Sequence, residues 1–167
     1  MKHWILLAAL SFAAFAAGGG AQPNDALVGT WKLVSGTDTT DKGETRDAYG
    51  QNPTGFLNYS ADGRMMVVIS YGGRKPLSVA DYVSAPVEER AAAYATFLAY
   101  AGRYTYTGDK VIHHVEVCSI QNRVGADLVR SIVSLKGNRL TLRTPPSLKG
   151  GAQVTTELVW ERMSGGS

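Results

Sequence analysis

The chain has 167 residues and a formal net charge of +3 at pH 7, with its basic residues scattered rather than gathered in one region. Nucleic-acid-binding proteins usually concentrate positive charge on one face, so the sequence argues against a nucleic-acid partner. The single cysteine, Cys118, excludes an internal disulfide. Stability must therefore come from buried apolar surface and from backbone hydrogen bonds.

The first 21 residues have the pattern of a cleavable signal peptide. A basic start at Lys2 precedes an apolar run from Trp4 to Ala17, and small residues follow this run. The run is shorter than the roughly 20 apolar residues that a membrane-spanning helix needs. We therefore predict removal of residues 1–21, export to the periplasm or out of the cell, and no membrane span after removal of the leader. Residues 22–163 are then predicted to form one domain, and residues 164–167 a flexible tail.

The pattern of the rest of the chain predicts short strands separated by turn residues. A first strand is predicted over 29–37 and a short irregular strand over 44–49. Three hairpins follow, and their turns contain Gly63, Gly108 and Gly137, because glycine readily adopts the positive φ of tight turns. The remaining predicted strands are 55–60 paired with 64–71, 102–107 paired with 110–120, 127–135 paired with 139–144, and a last strand over 152–163.

One segment, near residues 78–101, breaks the strand pattern. Val87, Ala91 and Tyr94 recur at helical spacing, and Glu88 and Glu89 fall in the first turn, where the helix dipole favours acidic side chains. We predict a helical insertion here, with a short helical turn over 78–83 and a main helix over 87–101.

These elements predict an all-β fold, a closed up-and-down antiparallel β-barrel of eight or nine strands. Closure removes the exposed strand edges that an open sheet would leave. An open sandwich is the main alternative. An eight-stranded barrel has an interior that holds either packed side chains or one small ligand. The helical insertion then either closes one mouth of the barrel or covers its outer wall.

Motifs at both ends of the chain resemble the signature of the lipocalin superfamily. A Gly-x-Trp motif at Gly29 to Trp31 opens the first strand, and Arg162 lies on the last strand. The resemblance implies that Trp31 closes one end of a barrel and that Arg162 stacks on its indole ring. Further motifs in the same order are similar to those of bacterial and fungal lipocalin-like domain proteins: Tyr49–Gly55, Tyr59–Met65, Tyr100–Tyr106, Val111–Glu116, Asn138–Leu142, Thr144–Pro146 and Leu158–Arg162. This resemblance implies a fold with a cavity, and it implies no particular reaction.

His113 and His114 are adjacent on a predicted strand, so their side chains point to opposite faces. They cannot share one metal ion, and we predict neither a metal nor another cofactor. His113 alternates with the apolar residues Val111, Val115 and Val117, and this pattern favours an inward His113 with His114 outside. An inward His113 is either a satisfied core residue, a group that orients a ligand, or a general acid–base.

Arg130 is the second polar candidate. If it faces inward, it needs an acidic partner or a ligand carboxylate, because burying an unpaired guanidinium is costly. The alternative is that Arg130 faces solvent and that the opposite face of its strand is buried. Aromatic and flexible apolar side chains are typical of cavities of this kind. The predicted ligand-binding residues are Tyr59, Met65, Tyr104, His113, Val115 and Arg130.

Three functions are compatible with this sequence. The favoured hypothesis is an exported protein that binds a small apolar or amphipathic ligand in the barrel lumen, with no assigned catalytic residue. The second is an isomerase or cyclase in which His113 or Tyr104 transfers a proton. The third is a barrel with a packed interior that acts as an interaction module through an exposed apolar surface, for example at Tyr94 and Leu98. The sequence does not determine the oligomeric state.

Overall fold

The structure, a computed structural model, describes residues 26–164. The predicted signal peptide, residues 1–21, and the tail residues 165–167 lie outside the described residues. The described chain contains ten strands, one α-helix and a short 3₁₀-helix at Gln121–Arg123. The elements are β1 (Gly29–Thr40), β2 (Thr45–Asp47), β3 (Thr54–Tyr59), β4 (Arg64–Ser70), α1 (Val87–Ala95), β5 (Phe97–Tyr106), β6 (Lys110–Cys118), β7 (Asp127–Lys136), β8 (Arg139–Arg143), β9 (Ser147–Lys149) and β10 (Ala152–Arg162).

Eight of these strands close into the predicted antiparallel barrel. The order is β1-β3-β4-β5-β6-β7-β8-β10, and β10 pairs with β1 to complete the cylinder, with Trp31 opposite Arg162. The short strands β2 and β9 add to β1 and β10 respectively. Within residues 26–164, no helix is long and apolar enough to span a membrane.

Strand alternation places the apolar core inside the barrel. On β4, Met65, Val67 and Ile69 are buried, whereas the intervening Met66 is 54% exposed. Successive side chains of a strand point to opposite faces of the sheet, so one apolar set fills the interior. The adjacent methionines therefore have different environments, and only Met65 contributes to the core.

Trp31 closes one end of the barrel, as the resemblance implies. The indole is 0% exposed, and its Nε1 donates a hydrogen bond to the Leu27 carbonyl at 2.9 Å. The Arg162 guanidinium carbon lies 4.1 Å from the centroid of the Trp31 ring, and the same guanidinium donates to the Val28 carbonyl. A cation on an aromatic face, with its N–H groups bonded to nearby carbonyls, fixes this end of the barrel.

The glycine of the Gly-x-Trp motif has a steric explanation. Gly29 has φ +135°, a conformation that L side chains rarely adopt. A Cβ atom at this position would also lie 2.9 Å from Nη1 of Arg162. Residue 29 therefore lacks a side chain because the guanidinium that covers Trp31 occupies the adjacent space.

The helical insertion is shorter than predicted. Residues 78–83 form bends and a turn rather than a helix, and α1 ends at Ala95. The Asp81 carboxylate accepts a hydrogen bond from the Val83 backbone N–H, a local contact that competes with helix formation. Residues 97–101 belong to β5, where Phe97 pairs with Ser70 of β4. Strand pairing therefore overrides the helical pattern of this part of the chain.

A β-bulge changes which residues of β6 face inward. Val115 pairs with Gly102, but Val117 pairs with Ala101, so Glu116 has no direct partner on β5. The extra residue reverses the alternation beyond Val115. The prediction that Val117 faces the lumen is therefore wrong, and its side chain is 61% exposed. The predicted inward positions Val111, His113 and Val115 are confirmed.

Candidate functional site

A cavity of about 310 Å³ opens at the end of the barrel away from Trp31. Tyr94 and Ala95 of α1 line the mouth, so the helix neither closes the barrel nor merely covers its outer wall. The 3₁₀-helix and β9 supply other parts of the lining. Most of the wall is apolar and comes from inward positions on the barrel strands: Leu57, Val67, Ile69, Leu98, Leu142 and Leu158.

His113 lies in the cavity wall between two tyrosines. Its Nε2 is 2.7 Å from the Tyr59 hydroxyl, and its Nδ1 is 3.0 Å from the Tyr100 hydroxyl. Burial lowers the pKa of His113 well below its usual value, because the charged imidazolium is poorly solvated there, and the nearby positive charges of Arg130 and His114 lower it further. The imidazole is therefore neutral at pH 7, with a tyrosine at each ring nitrogen.

The positions of the two tyrosines favour one tautomer of His113. Tyr59 is fully buried and lies outside the cavity lining, whereas Tyr100 lines the cavity. A hydroxyl hydrogen without an acceptor is less costly at the cavity than in the closed interior, which favours a Tyr59 hydroxyl that donates to Nε2 and an Nδ1–H that donates to the Tyr100 oxygen. This arrangement leaves the Tyr100 hydroxyl hydrogen for an acceptor in the cavity.

The lowered pKa of His113 makes the free energy of unfolding depend on pH. An unfolded histidine titrates near pH 6.5, and the folded pKa is well below this value, so between these pKa values the unfolded state binds more protons. Stability is therefore fully present above about pH 7 and falls with acidification, by up to about 1.4 kcal/mol per pH unit from this group. The variant His113→Gln lacks this titration, and its unfolding free energy is expected to depend less on pH. Urea unfolding of both proteins between about pH 7 and about pH 5 measures the difference. Equal slopes would contradict the prediction, whatever the baseline stability of the variant.

Arg130 faces the barrel interior, the first of the two alternatives that the sequence left open. It pairs directly with Val111, a fully buried residue of β6, and paired residues share one face of a sheet. Arg130 lines the cavity and is partly buried, and its Nη1 donates to the Val129 carbonyl at 2.8 Å. No carboxylate of residues 26–164 forms a salt bridge with it.

Trp160, a residue of the cavity wall, has a buried indole N–H without a hydrogen-bond partner among the described residues. Its side chain is 2% exposed and lines the cavity. Its Nε1–H has no hydrogen-bond acceptor in the part of the chain that the structure describes. A buried donor without an acceptor costs free energy, and in a native protein such a group requires an explanation.

The charges at the mouth differ in how well they are neutralised. Lys149 donates to the buried carboxylate of Asp38 at 2.6 Å, and Thr156 donates to the other oxygen of Asp38 at 2.7 Å. Burial alone would raise the pKa of Asp38, but these hydrogen bonds and the positive charges of Lys149 and Arg46 outweigh it and lower the pKa. Lys149 is therefore paired, whereas Arg123, which also lines the cavity, forms no salt bridge with any described residue.

Only two of the six predicted ligand-binding residues line the cavity, namely His113 and Arg130. The other four are buried in the barrel interior outside the lining: Tyr59, Met65, Tyr104 and Val115. Tyr59 nevertheless supports the site through His113, and its ring packs on Tyr104 at a centroid distance of 4.7 Å. Ligand contact by any of the six stays a prediction.

Sequence reasoning did not select Tyr100, Trp160 or Arg123. The helical pattern places Tyr100 in the insertion, although its two-residue spacing from Gly102 and Tyr104 is typical of one strand face. Trp160 stands out only as part of the Leu158–Arg162 motif, and nothing in the local sequence places Arg123 at the mouth. In residues 26–164, no group of three or more His, Cys, Asp or Glu side chains has the arrangement of a metal site.

One family model and two known proteins are similar to this chain. A family model described as a lipocalin-like domain matches residues 28–163. The chain is 33% identical over 92 residues to the 4'-hydroxy-3'-methoxypropiophenone carrier protein ppsC of Aspergillus oryzae, which is 50% of this chain and 82% of that protein. A solved structure of a redesigned β-barrel has 14% identity and a TM-score of 0.39, over 83% of this chain and 93% of that chain. The match over nearly all of the described residues shows that this chain belongs to the family of lipocalin-like domain proteins.

Proposed function

We propose that the protein is an exported carrier that binds a small apolar or amphipathic molecule in the barrel cavity. The observation that carries this proposal is the cavity itself, which has a volume of about 310 Å³ and a wall of aliphatic and aromatic side chains interspersed with polar groups. Cavities of roughly 300–1,000 Å³ with these properties are typical of small-molecule sites. The Aspergillus relative is named as the carrier of a substituted aryl ketone, which supports a ligand of similar size and polarity.

The two alternative functions have less support. An open cavity argues against a packed barrel that acts only through its surface. A proton-transfer enzyme needs a titratable group within reach of the substrate. Both nitrogens of His113 are bonded to tyrosines, and the lowered pKa of this histidine makes it a poor base near neutral pH. The group is better suited to orient a ligand through the Tyr100 hydroxyl.

Uptake of a neutral apolar dye tests the carrier proposal. The wild-type protein is expected to bind phenylnaphthylamine saturably, with enhanced fluorescence, because the dye leaves water for the aliphatic wall. Leu98→Trp places a larger side chain in the cavity wall and is expected to weaken binding by at least about tenfold, or 1.4 kcal/mol.

The matched control is Val133→Trp. Val133 is 45% exposed on β7 and does not line the cavity, so this variant adds the same indole outside the binding site. It is expected to bind the dye as the wild type does. Circular dichroism would verify the fold of both variants. Absence of saturable binding to the wild type, or equal weakening by both substitutions, would count against a ligand in the cavity.

A further inference from the structure

We propose that the ligand carries a carboxylate on an apolar body, and that Arg130 binds this carboxylate inside the barrel. The inference rests on the proposed carrier function and specifies the chemical class of the ligand. The cavity is lined by the partly buried Arg130, which has no acidic partner among the described residues, and by Tyr100, whose hydroxyl hydrogen is left for an acceptor. An apolar acid supplies the group that this arrangement lacks.

The first argument comes from the charge of Arg130. A guanidinium has five N–H donors, and here the hydrogen bond to the Val129 carbonyl accounts for one of them. Removal of such a cation from water is costly unless an anion compensates it. A carboxylate matches the planar guanidinium and accepts two parallel hydrogen bonds from it. Binding of an acid therefore offsets the desolvation of both ions at once.

The second argument comes from the neutral donors. The tautomer assigned to His113 directs the free hydroxyl hydrogen of Tyr100 away from the imidazole, and Tyr100 lines the cavity. The Trp160 Nε1–H also lacks an acceptor among the described residues, although the ring is almost fully buried. The Tyr100 hydroxyl therefore fits an oxygen of the ligand, whereas the buried Trp160 Nε1 has almost no surface exposed to the cavity.

The third argument comes from the absence of acidic side chains among the described residues that line the cavity. No Asp or Glu of the described residues lines the cavity, whereas Arg123, Arg130 and Lys149 do. The carboxylate of Asp38 compensates Lys149, which leaves two uncompensated cations. This field attracts an anion to the mouth and disfavours a cationic ligand of the same size.

Competition among three molecules with the same tail tests the inference. Decanoate, decanol and decylamine are each used to displace phenylnaphthylamine from the wild-type protein at neutral pH. We expect decanoate to displace the dye at a concentration at least about tenfold lower than either of the others. Decanol is the most readily removed from water because it carries no charge, so hydrophobic burial alone would reverse this order.

Substitution of Arg130 identifies the group responsible. Arg130→Gln is expected to weaken decanoate binding by about tenfold to hundredfold and to weaken decanol binding much less, so that the preference for the acid is lost. Arg139→Gln is the matched control, because it removes one positive charge from an exposed residue of β8 outside the cavity. Tyr100→Phe keeps the aromatic ring but removes the hydroxyl donor, and it is expected to weaken decanoate binding by about tenfold. It provides a second test if Arg130→Gln does not fold.

The outcomes separate this inference from the carrier proposal. Dye binding with equal or better displacement by decanol would overturn the carboxylate assignment and leave the carrier function intact. A preference for decanoate that survives in both Arg130→Gln and Tyr100→Phe would also overturn it. If neither the dye nor decanoate binds the wild-type protein in fluorescence and calorimetric titrations, both proposals are wrong. Preferential binding of decanoate that is lost in these variants, and retained in Arg139→Gln, would support both.

Discussion

Replacement of Trp31 by alanine is expected to lower the free energy of unfolding by about 3–5 kcal/mol, the usual cost of deleting a buried large aromatic side chain. The indole is fully buried and contacts both the Leu27 carbonyl and the Arg162 guanidinium. Its removal leaves a cavity at the closed end and exposes the region around the guanidinium to water. Urea unfolding followed by circular dichroism measures the loss without relying on tryptophan fluorescence.

A suitable comparison is Tyr82→Ala, which removes an aromatic side chain that is 71% exposed. This variant is expected to stay within about 0.5 kcal/mol of the wild type, because surface substitutions rarely cost more. If Trp31→Ala also changes the unfolding free energy by less than about 1 kcal/mol, then the Trp31–Arg162 stack does not stabilise the barrel.

Substitution of Gly102 by alanine is expected to cost at least about 3 kcal/mol, the upper part of the range for overpacked interiors. An added Cβ would lie 1.9 Å from the His114 carbonyl oxygen and 3.0 Å from the Glu116 nitrogen. Both are backbone atoms of β6, so β5 and β6 would have to separate at the bulge. Because Tyr100 and His113 come from these two strands, dye binding in the cavity is expected to weaken as well.

Gly108→Ala is the control for the loss of glycine itself. Gly108 has φ +97°, and an added Cβ would meet no atom within 4 Å. The expected cost is about 1–2 kcal/mol from backbone conformation alone, with dye binding unchanged. Equal destabilisation of the two variants, or a Gly102→Ala protein that keeps full stability, would show that the close approach at the bulge is unimportant.

Local patterns predicted most of the barrel. The hairpins around Gly63, Gly108 and Gly137 follow from turn residues between alternating segments, and all three are present. The inward orientation of His113 follows from the apolar residues with which it alternates. These predictions succeed because they depend on the period of a strand and on the backbone freedom of single residues, both of which are local properties.

The errors occur where distant segments interact. Residues 97–101 have a composition compatible with a helix, but pairing with β4 supplies hydrogen bonds that make them a strand. The bulge at Glu116 reverses the orientation of Val117, and it depends on the contact of Gly102 with β6. Neither effect can be predicted from the sequence of the segment that it changes, because strand pairing overrides local preference.

The sequence by itself determined the fold class, the Gly29–Trp31 and Arg162 pair that closes one end, and the presence of a polar histidine in an apolar lumen. The tertiary structure alone decided the composition of the cavity. It brought Tyr100 and Arg130 to the wall around His113, left the Trp160 donor without an acceptor among the described residues, and paired Lys149 with Asp38. The physical reason is that alternation specifies which side of a strand a residue occupies. The height of that residue in the barrel and its cross-strand neighbours depend on the register and closure of all eight strands.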